Sequence, residues 1–265
     1  MNADVISKLK EIDRLKKELD GLQPFDKTVW EYFKAYLDTE LTYNSNAIEG
    51  STLSLWETKE ILDKGYVYKT TPTREILEVI NHRDALRYLE TLTSAKPPYI
   101  ISTAEILNLH REILKGIKND RAGKFRQENV YIRLKKEDAS TAVKNFPEWQ
   151  AVPELVTDLL RWLRDSEKNY HPVILAAELH YRFVAIHPFI DGNGRTSRLL
   201  MNLILLQNGY TFANVAMQHR TTYINAITTA DNTQDMTVFY LVVIEALKTM
   251  LELYIKTFKE RIIWK

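Results

Sequence analysis

The sequence predicts an all-α fold interrupted by one short strand-bearing stretch. Apolar residues recur at helical spacing through most of the 265 residues. Only 8 glycines and 8 prolines break that pattern, and only Asn129 to Phe146 has strand character. The length suits one large domain, or a domain with an extension.

The elements follow in order. Ile6 to Leu22 reads as an amphipathic helix whose stripe is Ile6, Leu9, Ile12, Leu15 and Leu19, a packing helix of the domain. A second helical run carries Tyr32, Phe33, Tyr36, Leu37 and Leu41, and Gly50 has the character of the residue that ends it. Helices are expected over Ser54 to Lys64 and Thr73 to Thr91, before Pro97-Pro98 interrupts. Ser102 to Lys115 opens on a capping pattern, Ser-Thr before Ala-Glu-Ile. Val130 and Ile132 then alternate as in a strand, the polar Arg133 to Asp138 interrupts, and Phe146-Pro147 returns. Pro153 to Arg164, Pro172 to Ile186, Arg195 to Leu206, Thr221 to Ala230 and Met236 to Ile262 complete the helices. His180 and Glu178, on the helix before residue 187, read as structural.

Composition removes several classes. The net charge is +1 with no long basic stripe, so nucleic acid is not an expected partner. Cysteine is absent, which excludes disulfides and thiolate metal sites. No apolar run of membrane-spanning length and no leader pattern occur, so a soluble, cytoplasmic protein is expected.

Chemistry concentrates in His187-Pro-Phe-Ile-Asp-Gly-Asn-Gly-Arg-Thr-Ser-Arg198. Pro188 ends the preceding helix and leaves His187 at its exit, where the ring can face a cleft. Gly192 and Gly194 permit positive φ and close backbone approach. The loop runs into a helix N-terminus, where free amides and the dipole attract phosphate. Arg195 and Arg198 share a face of that first turn, which is unfavourable unless an anion offsets them. Asp191 is the natural Mg²⁺ ligand and His187 the natural general base. A Walker loop is absent; Ser197 replaces the third glycine of a dinucleotide fingerprint; kinase loop signatures are missing. A nucleotidyl or phosphoryl transferase is the expected class.

This segment resembles the signature of the Fic family, His-x-Phe-x-Asp/Glu-Gly-Asn-Gly-Arg-x-x-Arg, at every fixed position. The resemblance runs from about Asn44 to about Phe239 and includes Ala122-Gly-Lys-Phe-Arg126 followed by Val130-Tyr-Ile132, similar to the family's entry into a β-hairpin flap. It implies a helical bundle with that flap beside the active site, and transfer of AMP from ATP to a Ser, Thr or Tyr hydroxyl of a target protein. In the roles it implies, His187 deprotonates the hydroxyl and Asp191 holds Mg²⁺. Gly192, Asn193 and Gly194 cradle phosphates, Arg195 and Arg198 take the outer ones, and Phe189 anchors the loop. The target would lie along the flap, and Val130 at the flap entry is counted among the nucleotide-binding residues. Arg220-x-x-Tyr223 and Ala230-Asp-Asn232 resemble positions near the base, with Asp231 or Asn232 as the contact. The implied division is an extension over 1–40, a Fic domain over 41–240 and a C-terminal helix over 241–265.

Ser45-Asn-Ala-Ile-Glu49-Gly50 is the second signal. Ser45 and Glu49 lie one turn apart on one face, and Glu49 sits at the negative end of a helix dipole, a poor place without a cation. The segment is similar to the family's inhibitory motif, Ser/Thr-x-x-x-Glu-Gly/Asn. That resemblance implies that Glu49 pairs with Arg198 and turns ATP into an unproductive pose. Some such relatives use the same Glu to direct a water and remove AMP, and several form dimers or higher assemblies, so a homodimer is compatible with it. A phosphotransfer branch carries Lys where Gly194 stands, which argues against it here. The intact His187 and Asp191 argue against a non-catalytic binding module.

Overall fold

The computed structural model describes residues 2–67, 70–94, 101–135 and 141–264. Helices α1 (Ala3–Asp20), α2 (Lys27–Ile48), α3 (Leu55–Lys64), α4 (Thr73–Ser94) and α5 (Thr103–Leu114) precede strands β1 (Tyr131–Lys135) and β2 (Thr141–Asn145). Helices α6 (Val152–Ser166), α7 (Pro172–Ile186), α8 (Asn193–Gln207), α9 (Arg220–Thr233) and α10 (Thr237–Glu260) follow. The all-α expectation holds.

Helix α7 is apolar nearly all round, with Val173 to His180, Phe183 and Ile186 buried, and such a helix belongs at a centre. It packs on α8. Helices α2, α4 and α5 close over α8, and α6 and α10 over α7. Helix α1 lies along α10, and its stripe joins the same core as Leu89, Leu109, Phe183 and Leu200. That stripe is Val5, Leu9, Ile12, Leu15 and Leu19. Val5 replaces the expected Ile6, which is 40% exposed, because the face fixed by Leu9 reaches one turn back to position 5.

Local chemistry sets the ends. Ser54 with Glu57, and Ser102 with Glu105, form reciprocal capping boxes at α3 and α5. Gly50, at φ 105°, follows the last turn of α2. The hairpin is antiparallel with Tyr131 opposite Asn145 and Ile132 opposite Lys144. Strand β1 continues to Lys135, through part of the expected polar interruption, since backbone pairing needs no apolar side chain. Pro97-Pro98 and the hairpin tip lie outside the described residues. None of the described helices is long and apolar enough to cross a membrane.

Candidate active site

His187 follows α7 in the left-handed region, φ 52° and ψ 58°, and its amide donates to the Phe183 carbonyl at 3.0 Å. A histidine held there is strained, and the next residue, Pro188, forbids the helical alternative. Phe146, just past β2, stacks on the imidazole with ring centres 3.9 Å apart. Burial pushes the His187 pKa down to about 4, so the ring is neutral at pH 7 and able to accept a proton. Its Nδ1 is buried, and the Val184 backbone beside it partly offsets the effect of burial.

Asp191 stands at the other end of the loop. Its Oδ1 accepts from the Gly192 amide at 2.7 Å and from Arg195 Nη2 at 3.3 Å. Its Oδ2 accepts from Arg74 Nη2 at 2.9 Å and Lys118 Nζ at 3.3 Å. Burial alone would raise this carboxyl, but Arg195, Lys118 and Arg74 outweigh it and keep the group below the ordinary carboxylate range. Mg²⁺ takes one or two carboxylates and completes its shell with phosphate oxygens and water. One ionised, partly exposed carboxylate beside an uncapped helix N-terminus fits that demand. Among the described residues no cluster of three or more His, Cys, Asp or Glu competes for the role.

Helix α8 begins two residues earlier than expected, at Asn193, with Gly192 at φ 79° as its N-cap. No side chain caps it, so the amides of Asn193, Gly194 and Arg195 form an uncapped first turn. The Asn193 side chain is already committed: its Oδ1 accepts from the Phe189 amide at 3.0 Å and its Nδ2 donates to the Phe189 carbonyl at 2.8 Å. Asn193 therefore closes the loop with its side chain and leaves only its amide for phosphate. Gly194 does not use positive φ, unlike Gly192. What it needs is space, since a Cβ there would lie 2.2 Å from Glu49 Oε1 and 3.2 Å from Arg198 Nη1.

Glu49 and Arg198, 149 positions apart, meet at that glycine. Arg198 Nη2 donates to Glu49 Oε1 at 2.9 Å and to the Ser45 carbonyl at 2.8 Å, and Nε donates to Ser45 Oγ at 3.1 Å. Burial opposes the charge of Arg198, yet Glu49 and its other neighbours hold its pKa above the ordinary value. Arg198 Nη1 is buried beside the glycine loop with no partner among the described residues. Arg195 is fixed differently, by Glu78 at 3.2 Å. The end of α2 is pinned from three sides: Arg220 Nε donates to the Ile48 carbonyl at 2.7 Å, the Met217 amide to Asn44 Oδ1 at 2.8 Å, and Asn46 Nδ2 to the Glu78 carbonyl at 3.1 Å.

Two side chains that carry the loop were not assigned a role from the sequence. Arg126 is 2% exposed and donates from Nε to the His187 carbonyl at 2.9 Å, from Nη1 to the Glu128 carbonyl at 3.0 Å and from Nη2 to the Pro147 carbonyl. It ties the hairpin root to the loop that begins at His187. His110 stacks on Phe189 at 3.5 Å, accepts from the Gly123 amide at 3.0 Å through Nδ1, and its Nε2 lies 3.0 Å from the Asp191 carbonyl. The accepting Nδ1 fixes the tautomer, so Nε2 donates to Asp191. A histidine on the apolar face of α5, between Ile106 and Ile113, was the available signal. His110→Ala should lower the unfolding free energy by about 2–4 kcal/mol, because it leaves two buried polar partners unsatisfied and opens a cavity. The urea midpoint reads this at unchanged slope. A change below about 0.5 kcal/mol, within the range of ordinary surface substitutions, would remove His110 from this role.

Against known proteins, the Fic/DOC family model matches residues 100–205. The structure superposes on Fic-1 from C. elegans with a TM-score of 0.84 and 31% identity, covering 98% of this chain and 74% of that one. The chain belongs to the Fic/DOC family. A Fic domain-containing signaling protein from Bacteroides thetaiotaomicron is similar at a TM-score of 0.86 and 26% identity, with 96% and 98% of the two chains covered. Among curated relatives, protein adenylyltransferase fic-1 of Caenorhabditis briggsae is 37% identical over 82% of this chain, and protein adenylyltransferase Fic of Aedes aegypti 31% over 93%. The chain spans 41% and 48% of the lengths of those two relatives.

Three further expectations of the Fic reading meet the geometry differently. Tyr223 is 2% exposed, and its hydroxyl lies 2.7 Å from His180 Nε2. Buried in this way, it does not line an open base pocket. Of the adjacent pair, Asn232 is exposed, whereas Asp231 bonds the Tyr181 hydroxyl at 3.1 Å and pairs with Lys144 of β2. Asp231, not Asn232, therefore faces the flap. Val130 precedes β1, and its carbonyl accepts from the Phe146 amide at 3.3 Å, so it closes the hairpin root.

Proposed function

We propose that this chain transfers AMP from ATP to a serine, threonine or tyrosine hydroxyl of a protein, and that Glu49 restrains the reaction. One observation carries the reading. A neutral His187 and an uncapped, arginine-bearing helix end share one short loop, and the buried Arg198 Nη1 there has no partner among the described residues. The relatives' names, protein adenylyltransferase, support it.

The phosphates would rest on the amides of residues 193–195, with Arg195 and Arg198 on the outer ones. His187 takes the proton of the target hydroxyl while that oxygen bonds to the α-phosphorus. The bond from this phosphorus to the oxygen bridging to the β-phosphate breaks, and pyrophosphate leaves. Mg²⁺ held by Asp191 would supply neutralisation of the polyphosphate charge. An extended target segment would pair with a hairpin edge, beside Tyr131 and Val143, which are 57% and 55% exposed.

Glu49 also favours a second reading, hydrolytic removal of AMP, because its carboxylate overlies Gly194 and is 40% exposed to water. ATP labelled at either the α- or the γ-phosphate separates the chemistries. On Glu49→Gly protein, AMP transfer leaves the α-label on protein and the γ-label in pyrophosphate. Retention of the γ-label on protein would replace this reading with phosphotransfer.

A further inference from the structure

Arg74 and Lys118 are the charges at this loop that the proposed reaction leaves unused. Arg74 lies in the first turn of α4 and Lys118 in the connection after α5. Both converge on Asp191 Oδ2, at 2.9 and 3.3 Å. The other oxygen, Oδ1, is engaged by the Gly192 amide and by Arg195. Oδ2 is thus the oxygen with which Asp191 would take a divalent ion, and two cations already hold it.

The three cations around Asp191 differ in freedom. The Arg195 side chain is 3% exposed and fixed by Glu78. The side chains of Arg74 and Lys118 are 51% and 38% exposed. Exposed ion pairs of this kind contribute little to stability, so they exchange partners readily. Arg74 is tethered at Nε by Glu78 Oε1 at 3.0 Å, which leaves its Nη end to pivot in place. Lys118 has a flexible stem and Asp191 as its sole ion-pair partner in the described structure. Charge accounting gives direction to that freedom. Arg74, Lys118 and Arg195 carry three positive charges against two negative ones on Asp191 and Glu78. A divalent ion at Oδ2 would raise the surplus by two, at the distance the two cations now occupy. An arriving polyanion relieves that repulsion and gives both cations a partner.

We infer that Arg74 and Lys118 guard the metal-binding oxygen of Asp191 in the nucleotide-free protein and pass to the polyphosphate when it arrives with its metal. They are then two further nucleotide-binding residues, and they make metal and nucleotide bind as a pair. This rests on the reading of Asp191 as the metal ligand.

Mn²⁺, visible by electron paramagnetic resonance, tests it on the full chain. Titrations are run with and without an ATP analogue blocked at its scissile bond. The variants are Arg74→Gln, Lys118→Gln, the double variant and Asp191→Asn, each checked for an unchanged melting transition. The double variant should bind Mn²⁺ alone roughly tenfold more tightly and the analogue with Mn²⁺ roughly tenfold more weakly, so that coupling between the two shrinks. Unchanged affinity for either ligand in the double variant, with Asp191→Asn still losing Mn²⁺, overturns the inference alone. If Asp191→Asn binds Mn²⁺ and the analogue as the wild type does, the metal role of Asp191 falls and the inference falls with it.

Discussion

His187→Ala should lower AMP transfer by about a hundredfold to ten-thousandfold, the usual cost of losing a general base. Binding of Mg-ATP should change little, because the imidazole sits at the exit of α7 while the amides proposed to hold the phosphates belong to α8. The pH profile supplies a second readout. Burial holds the His187 pKa near 4, and catalysis needs the neutral ring. Transfer by the Glu49→Gly protein should therefore show no acid limb near 6.5 and should fall only as pH drops through about 4. Stability follows a different course. His82, His110, His180 and His187 all have depressed pKa values in the folded chain, so the unfolded chain binds more protons below about 6.5. Acid thus erodes folding before it protonates His187, and rates must be taken before unfolding intervenes. Near wild-type transfer by His187→Ala, or a limb at 6.5, would contradict the assignment of the base.

The local parts of this arrangement were legible because they depend on short-range rules. Pro188 dictates the helix exit at His187, and the glycines mark the uncapped helix start that carries Arg195 and Arg198. Periodicity located the helices. Contacts between distant segments had no such signal. Arg74 and Lys118 reach Asp191 across 117 and 73 positions, and nothing near either residue distinguishes it from a surface cation. Glu49 and Arg198 were paired only through a family resemblance, since spacing cannot bring residues 149 apart together. The choice between Asp231 and Asn232 was open to reasoning by period. Ile227 is buried one turn before Asp231, so Asp231 shares its face and Asn232 is rotated toward solvent. Tyr223 lies four positions before Ile227 on that same inward face, which accounts for its burial.

Glu49→Gly should raise auto-modification with AMP by roughly tenfold to a thousandfold. Glu49 occupies the charge of Arg198 that an outer phosphate would otherwise take, at 2.9 Å, and its carboxylate overlies Gly194, where the phosphates would rest. A close ion pair is worth about 4 kcal/mol at an effective dielectric near twenty. Glu49 is 40% exposed, and solvent screening reduces that figure. The stated range lies between a screened remainder of about 1.4 kcal/mol and the unscreened figure of about 4 kcal/mol, at about 1.4 kcal/mol per decade. Glycine at position 49 should leave the end of α2 in place, since Arg220, Asn44 and Asn46 pin it without the carboxylate. Arg198→Ala should not mimic the activation, because it removes the partner of the phosphate along with that of Glu49, and the double variant should stay inactive. Removal of AMP from modified protein responds in the opposite sense: if Glu49 directs the water, Glu49→Gly abolishes that activity while transfer rises. A Glu49→Gly protein unchanged in both directions would leave the ion pair with Arg198 as a purely structural tie between α2 and α8.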